Sequence, residues 1–503
     1  MKNIGVSLFS FLKLISEKQK LLHFENKIGK GFLHKNDEYI HHSLLQEHEH
    51  AFFILHREQL NMMLLFIIML EFALFFNLHR TITFFLGSII CIYFFDLLFN
   101  LFLVIRSFAF TPEIEVTQQE INEYLAIWPR YTILCPLYKE TAVLNQFITA
   151  IKHIDYPKTR LQVLLLLEED DTESLVILQK MKLPTYFETV IVPHSFPKTK
   201  PKAMNYGLRH VTGEFIAIYD AEDIPDPQQL KKVIIAFGKL KTDTVCIQAK
   251  LNFYNAHQNL LTRVFTAEYS LWFDLILPGL QSIHAPIPLG GTSNHFKKKD
   301  LIEMGAWDSF NVTEDADLGM RLVQNGGKTA MLNSTTYEEA NSNVGNWFHQ
   351  RTRWIKGYIQ TYLVHTRDPK EHVATTGRKT FLIFNLIIGG KVLSALLNPF
   401  MWGLTLLYFL YRAHVGIFIE SFFPPYILYI GVICFFFGNF LYLFYYMLGV
   451  SKRGQDELIK YVFLVPLYWV FMSLAAWRAV YTLIAEPHYW SKTIHGLHLA
   501  KKI

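Results

Sequence analysis

Two blocks of sequence too apolar to be stable in water lie on either side of a stretch with soluble texture. Residues 61–78 and 83–105 are each about long enough to cross the ~30 Å hydrocarbon core of a bilayer, and the link at 79–82 is so short that they must form a hairpin. Glu71 and Asp96 lie inside these tracts. A carboxylate facing lipid is costly, so both are expected to face protein. Further apolar tracts follow at 381–397, 400–411, 426–450 and 461–485, interrupted by Lys391, Pro399, Pro466 and Arg478. Lys452, Arg453 and Lys460 place the loop 451–460 on the cytosolic side. Counting from that loop, spans fall at about 398–414 and 426–448, and the tracts 378–397 and 461–484 fit amphipathic helices in the interface. This gives four spans with both termini inside; six spans with the same orientation is the alternative.

Charged residues make up 18% of the chain, against about 25% in ordinary soluble domains. The formal charge of +5 gives no footing for nucleic acid. None of the four cysteines falls in a Cys-x-x-Cys or Cys/His arrangement, which indicates a reducing compartment and no zinc site. The first residues, 1–15, lack a small-residue cleavage site and suit an interfacial or packing helix better than a removable signal. Residues 17–58 are rich in His, Glu and Lys without metal-ligand spacing, and no function follows from them.

From Tyr131 the texture changes. Residues 131–135 and 161–167 are short apolar runs, the second nearly all Leu, as expected of strands buried on both faces of a parallel sheet. Residues 142–154 between them have helical spacing, and 215–219 is another buried-strand run. Alternating strands and helices predict a doubly wound α/β domain over 128–370, with ligands at the carboxyl ends of its strands. That rim receives Tyr138, the run Glu168-Glu169-Asp170-Asp171 and the run Asp220-Ala221-Glu222-Asp223.

The residue types on that rim suit a phosphorylated ligand. Carboxylates at a strand end can hold a hard divalent ion, Mg²⁺ or Mn²⁺, against a diphosphate, because such an ion takes few protein oxygens. Asp220 is one metal-ligand candidate, with Glu222 or Asp223 as the second. In Lys200-Pro201-Lys202-Ala203-Met204-Asn205, a cation would offset charge on a leaving group. Thr313-Glu314-Asp315 opens a helical stretch, where acids also serve as caps. Gln350-Arg351-Thr352-Arg353-Trp354 precedes the next membrane tract. The Gly-rich turn at 290–295 lies ahead of the acid pair and suits an acceptor channel; no phosphate-loop Gly-Lys-Ser/Thr is present.

Together, in this order, these signatures resemble the membrane-embedded family-2 glycosyltransferases, the cellulose, chitin and hyaluronan synthases and bacterial polysaccharide synthases among them. The resemblance covers about 128–370 in its motifs and the flanking spans only in type. It implies a GT-A-type doubly wound glycosyltransferase domain inserted between transmembrane helices. By analogy, the Asp220 run corresponds to Asp-x-Asp, with Glu222 at the third position. Tyr138 and Glu140, in Pro136–Glu140, correspond to a base-contacting turn. Glu168 and Asp170 are the donor-binding acids, and Lys202 and Asn205 match the Lys-Ala-Gly-Asn segment. Asp315 becomes the base that deprotonates the acceptor hydroxyl, with Glu314 beside it. Gln350, Arg353 and Trp354 fit Gln-x-x-Arg-Trp and would frame the acceptor and the diphosphate.

The implied enzyme is an inverting, metal-dependent hexosyltransferase. It would move a hexosyl unit from a UDP- or GDP-hexose to a growing envelope or extracellular β-linked polysaccharide. Its place would be the cell inner membrane, as a multi-pass protein in contact with lipid, with the catalytic domain cytosolic. The implied layout is a helical N-terminal segment (1–60), a transmembrane hairpin (61–106), the catalytic domain (128–370), membrane and interfacial helices (378–485) and a tail (486–503). Four spans are few for an export channel, so a partner or homo-oligomer is expected to complete it. Transfer of one sugar to a lipid carrier is the nearest alternative, and a non-catalytic transport or assembly component is the alternative of another class. The segment Trp490–Gly496 either covers the site as a gating loop or forms a polar tail.

Overall fold

The computed structural model describes residues 29–33 and 38–496. The helix expected over 1–15 lies outside them, as does the tail beyond Gly496. Before the first membrane helix the described chain is not helical, contrary to expectation. It forms a small hairpin, β1 (Gly31–Leu33) with β2 (Tyr39–His41), followed by turns up to Arg57. Without an apolar period to bury, this segment gives its backbone to the neighbouring domain. Asp308 accepts from Ala51 N–H at 2.6 Å, and Arg367 donates to the carbonyls of His48, His50 and Phe53.

The helix Arg57–Ala109 breaks at Asn77, whose φ/ψ of −155°/84° is not helical. Phe66 and Phe85, which would stand about 28 Å apart on a straight helix, have ring centroids 6.4 Å apart. The two halves therefore fold back as a hairpin. Among the described residues, four helices are long and apolar enough to cross a bilayer: Arg57–Ala109, Arg378–Glu420, Pro425–Lys452 and Val465–Ala485. Their outward faces carry exposed Phe66, Ile68, Phe72, Phe409 and Phe440, a surface suited to lipid. Asp96 faces protein, as its cost in lipid requires: it pairs with Lys391 at 3.4 Å and accepts from Asn100 at 3.1 Å and from the Tyr442 hydroxyl. Glu71 differs, for its side chain is exposed on the outer face of the first span.

The domain between the spans is built on one eight-stranded sheet. Its strands are β3 (Tyr131–Leu137), β4 (Leu161–Glu168), β5 (Phe187–Val192), β6 (Phe215–Ile218), β7 (Ile224–Pro225), β8 (Thr244–Phe253), β9 (Asn294–Lys297) and β10 (Lys328–Glu338). Their order is β5-β4-β3-β6-β9-β8-β10-β7. The first four are parallel, β9 runs antiparallel between β6 and β8, and β10 lies parallel to β8 with β7 antiparallel at the edge. The Leu-rich β4 is buried along its whole length because alternate side chains enter different cores. Val163, Leu165 and Leu167 join Ile133 and Phe147 on one face; Leu164 and Leu166 join Leu134 and Met204 on the other. The last two residues of the Gly-rich turn at 290–295 prove to belong to β9: buried His295 lies 2.8 Å from the Tyr131 hydroxyl.

Close backbone contact fixes this domain to the spans. A Cβ on Gly279 would stand 2.4 Å from the Leu103 carbonyl oxygen of the second span, and Arg106 donates to the Ser282 carbonyl at 2.8 Å. Lys250 bridges Glu113 at 2.8 Å and Asp274 at 3.1 Å.

Candidate active site

Each parallel strand ends on the same rim, so short turns after β3, β4, β6 and β10 project side chains into one cavity of about 150 Å³. Its wall includes Tyr138, Glu140, Glu168, Lys200, Asp220, Glu222, Tyr269, Glu314, Asp315, Glu338, Gln350, Arg353 and Trp354. Residues separated by more than 200 positions thus meet as the sequence predicts, with four exceptions among the named candidates.

Lys202 and Asn205 do not line this cavity. Both sit on the helix Lys200–Gly207, where positions two apart point to nearly opposite sides. Lys200 faces the acids: its Nζ is 2.5 Å from Asp220 and 2.6 Å from the Gly291 carbonyl. Lys202 turns away into a buried pair with Glu168 at 2.7 Å. The Asn205 amide is consumed in structure, bonded to the His42 and Trp307 carbonyls, the Ser309 hydroxyl and the Trp307 N–H. Asp223 is turned inward as well. One oxygen accepts from the Asp220 N–H at 2.7 Å and from the Thr292 hydroxyl, closing the turn, while the other has no hydrogen-bond partner. Asp170 stays at the margin, paired with Lys198 and 3.4 Å from the Tyr138 hydroxyl. Glu168 is on the wall, but its carboxylate is held by Lys202.

Asp315 lies in the first turn of the helix Glu314–Gln324, where the helix dipole favours a carboxylate. It packs so closely over Gly291 that a Cβ there would be 3.2 Å from its Oδ2. Burial raises the pKa of Asp315, opposed by its bond from the Ala316 N–H, by Lys200 and by Arg353. Burial and the adjacent Asp315 push Glu314 up to about 8. Burial lowers Arg353, against Glu314, Asp315 and Asp220, which favour its cation. Lys200 is raised despite its burial, because Asp220 and Glu314 surround it. The Oε1 of Gln350 and the Nε of Arg353 are buried without a protein partner, as expected of groups reserved for a ligand.

Three further groups line the wall beside the matched motifs. Glu338 ends β10, and burial together with Asp223 and Glu222 raises its pKa well above the carboxylate range. Tyr269 stands with its ring centroid 6.4 Å from that of Trp354. The third is the C-terminal segment, which crosses the mouth. Lys492 pairs with Glu140 at 2.8 Å and donates to the Tyr138 and Lys139 carbonyls. His495 Nδ1 is 3.1 Å from Glu222, Gly496 N–H donates to Glu339 at 2.5 Å, and Trp490 lies under Arg353 at 5.2 Å. Of the two readings of this segment, the structure puts it over the site.

No three His, Cys, Asp or Glu side chains converge as a metal cage among the described residues. An ion of the Mg²⁺ type takes one or two carboxylates and completes its shell with phosphate and water. Asp220 and Glu222 both lie on the wall, Asp220 paired with Lys200 and Glu222 beside His495.

Residues 129–357, within the α/β sheet domain, match the model of the family described as "Glycosyltransferase like family 2". The probable glycosyltransferase YdaM of Bacillus subtilis (strain 168) is 23% identical over 265 residues, covering 52% of this chain and 63% of the relative. The probable glucomannan 4-beta-mannosyltransferase 9 of Oryza sativa subsp. japonica is 25% identical over 288 residues, 54% of each chain. The chain thus spans between half and two thirds of the length of these relatives. Among solved structures, the mannosyltransferase PcManGT from Pyrobaculum calidifontis in complex with GDP-Man and Mn²⁺ aligns over 79% of this chain and 98% of its own, at 15% identity and TM-score 0.47. S. aureus TarS 1-349 aligns over 73% and 95%, at 13% identity and TM-score 0.36.

Proposed function

We propose that the chain is an inverting hexosyltransferase of the cell inner membrane, its catalytic domain cytosolic, that uses a UDP- or GDP-hexose to extend an envelope or extracellular β-linked polysaccharide. The observation that carries this reading is the meeting, on one cavity wall, of Asp220 and Glu222 with Asp315, Arg353 and Trp354. In the transfer, the acceptor hydroxyl attacks the anomeric carbon from the side opposite the nucleotide, and Asp315 takes its proton as the bond forms. Lys200 and Arg353 place positive charge where the diphosphate departs. A divalent ion held by Asp220 and Glu222 would neutralise that diphosphate further. Trp354 and Tyr269 offer flat faces on which an acceptor sugar can stack.

The cavity of about 150 Å³ is smaller than the ~300–1,000 Å³ of ordinary small-molecule sites. Residues 490–496 must therefore lift for a nucleotide sugar to enter, and they are the gating segment of this reading.

The test is nucleotide release by the protein in nanodiscs, supplied with a panel of nucleotide sugars and Mg²⁺ or Mn²⁺, with products sized by mass spectrometry. One donor is expected to turn over and to give a ladder of products, and Asp315→Asn is expected to abolish transfer while retaining donor binding. A single adduct would make the protein a one-sugar transferase acting on a lipid carrier. Full activity of Asp315→Asn would refute the assignment of the base.

A further inference from the structure

The second residue of Gln350-Arg351-Thr352-Arg353-Trp354 points away from the cavity. Arg351 is buried, and its guanidinium holds Glu268 with both ends, at 3.0 Å through Nη1 and more closely through Nη2. The same Nη2 donates to the Tyr468 hydroxyl at 2.8 Å. That hydroxyl donates to Glu268 at 2.6 Å and accepts from the Trp347 indole at 3.2 Å, so its one proton and both lone pairs are engaged. The flat guanidinium packs 4.6 Å from the Trp354 ring and 4.4 Å from Phe265.

Glu268, Tyr468 and Arg351 come from three helices with different attachments. Glu268 rides on the helix Leu260–Leu271, against which Gly449 of the helix Asn439–Lys452 packs so closely that a Cβ would stand 2.7 Å from the Leu271 nitrogen. Tyr468 belongs to the apolar helix Val465–Ala485, whose Ala475, Ala476 and Ala479 close on Ile355 of the motif helix Val344–His365. A planar cation fixed by a bidentate carboxylate and a hydroxyl has little freedom left, and a ring packed on it inherits that placement.

We propose that Glu268, Arg351 and Tyr468 are positioning residues for Trp354, a clamp through which the apolar helices set the face offered to the acceptor sugar. This rests on the reading of Trp354 as the acceptor platform. On the donor side of the cavity, Asp220, Glu222 and Lys200 share no hydrogen bond or ion pair with the clamp, so disturbing it separates acceptor from donor behaviour.

The experiment uses the full chain in nanodiscs with 5-fluorotryptophan at its nine tryptophans, the Trp354 signal being assigned with Trp354→Phe. Tyr468→Phe removes only the hydroxyl, and Glu268→Gln only the charge. In both, the Trp354 resonance is expected to move while that of Trp307, buried in the core of the sheet domain, stays in place. With cellotriose, mannotriose and chitotriose as acceptor probes, the acceptor KM is expected to rise about fivefold, the scale of one lost hydrogen bond, at unchanged donor KM. Arg351→Lys is expected not to rescue, since an ammonium reproduces neither the fork nor the stack. An unmoved Trp354 signal in both variants, or a Trp307 signal that shifts with it, would overturn the clamp. If Trp354→Phe itself leaves the acceptor KM unchanged, the acceptor reading fails, and the fluorine result still decides the clamp.

Discussion

Gly319 gives the most direct way to displace the proposed base without touching it. It lies on the helix Glu314–Gln324, about one turn beyond Asp315, and a Cβ there would stand 2.2 Å from the Ile287 carbonyl oxygen and 3.0 Å from the Leu289 nitrogen. Non-bonded heavy atoms settle near ~3.5 Å, so Gly319→Ala must push helix and backbone apart by about 1 Å. Both neighbours are backbone atoms, which cannot swing aside. Asp315 moves with its helix, away from the acceptor hydroxyl, and a displacement of about 1 Å typically costs about 10²-fold in rate. That corresponds to about 2.7 kcal/mol on the barrier. The assay is nucleotide release at saturating donor, on protein shown to be monodisperse and folded by its unfolding temperature. A fall in kcat of this size with donor KM unchanged is expected. Folded Gly319→Ala with kcat near that of the parent would refute the argument that the helix sets the base.

Glu222→Gln is expected to raise the Mn²⁺ concentration needed for half-maximal turnover by about tenfold or more, the loss of one charged ligand. Asp223→Asn should instead lower the unfolding temperature, because Asp223 closes the turn; a metal titration of both variants separates the two acids. Lys200→Met should abolish turnover in a folded protein, whereas Lys202→Met strands the buried Glu168 and should cost stability by about 3 kcal/mol or more. The reverse pattern would restore the sequence-based assignment. Lys356, inside the motif helix, donates to the Glu486 and Tyr489 carbonyls at 3.0 and 2.8 Å, and burial lowers its pKa to about 7. Between about pH 7 and its ordinary value near ~10.4, the unfolded chain then binds the extra proton, so stability from this group rises with pH across that window. Unfolding temperatures of the parent and Lys356→Met, compared from pH 7 to 10, should diverge in the parent's favour as pH rises.

The sequence alone determined what depends on the local pattern of residue types. Tract length and polarity gave the membrane hairpin, and runs of Leu and Ile gave β3, β4 and β6. The order of the acidic and Arg-Trp signatures gave the class of domain and most of its cavity wall. Tertiary structure decided which of two neighbouring residues faces that cavity. Lys200 and Lys202, or Glu222 and Asp223, are equivalent as letters; helix phase and the closure of a turn send one of each pair inward and leave the other on the wall. It also decided which buried charges found partners. Asp96 meets Lys391 and Tyr442 from distant helices, while Glu71 remains on an outer face. Finally, it brought Lys492 and His495 over acids more than 250 positions away. No local period or propensity encodes that juxtaposition, because it is set by where the last apolar helix packs and therefore where the chain emerges.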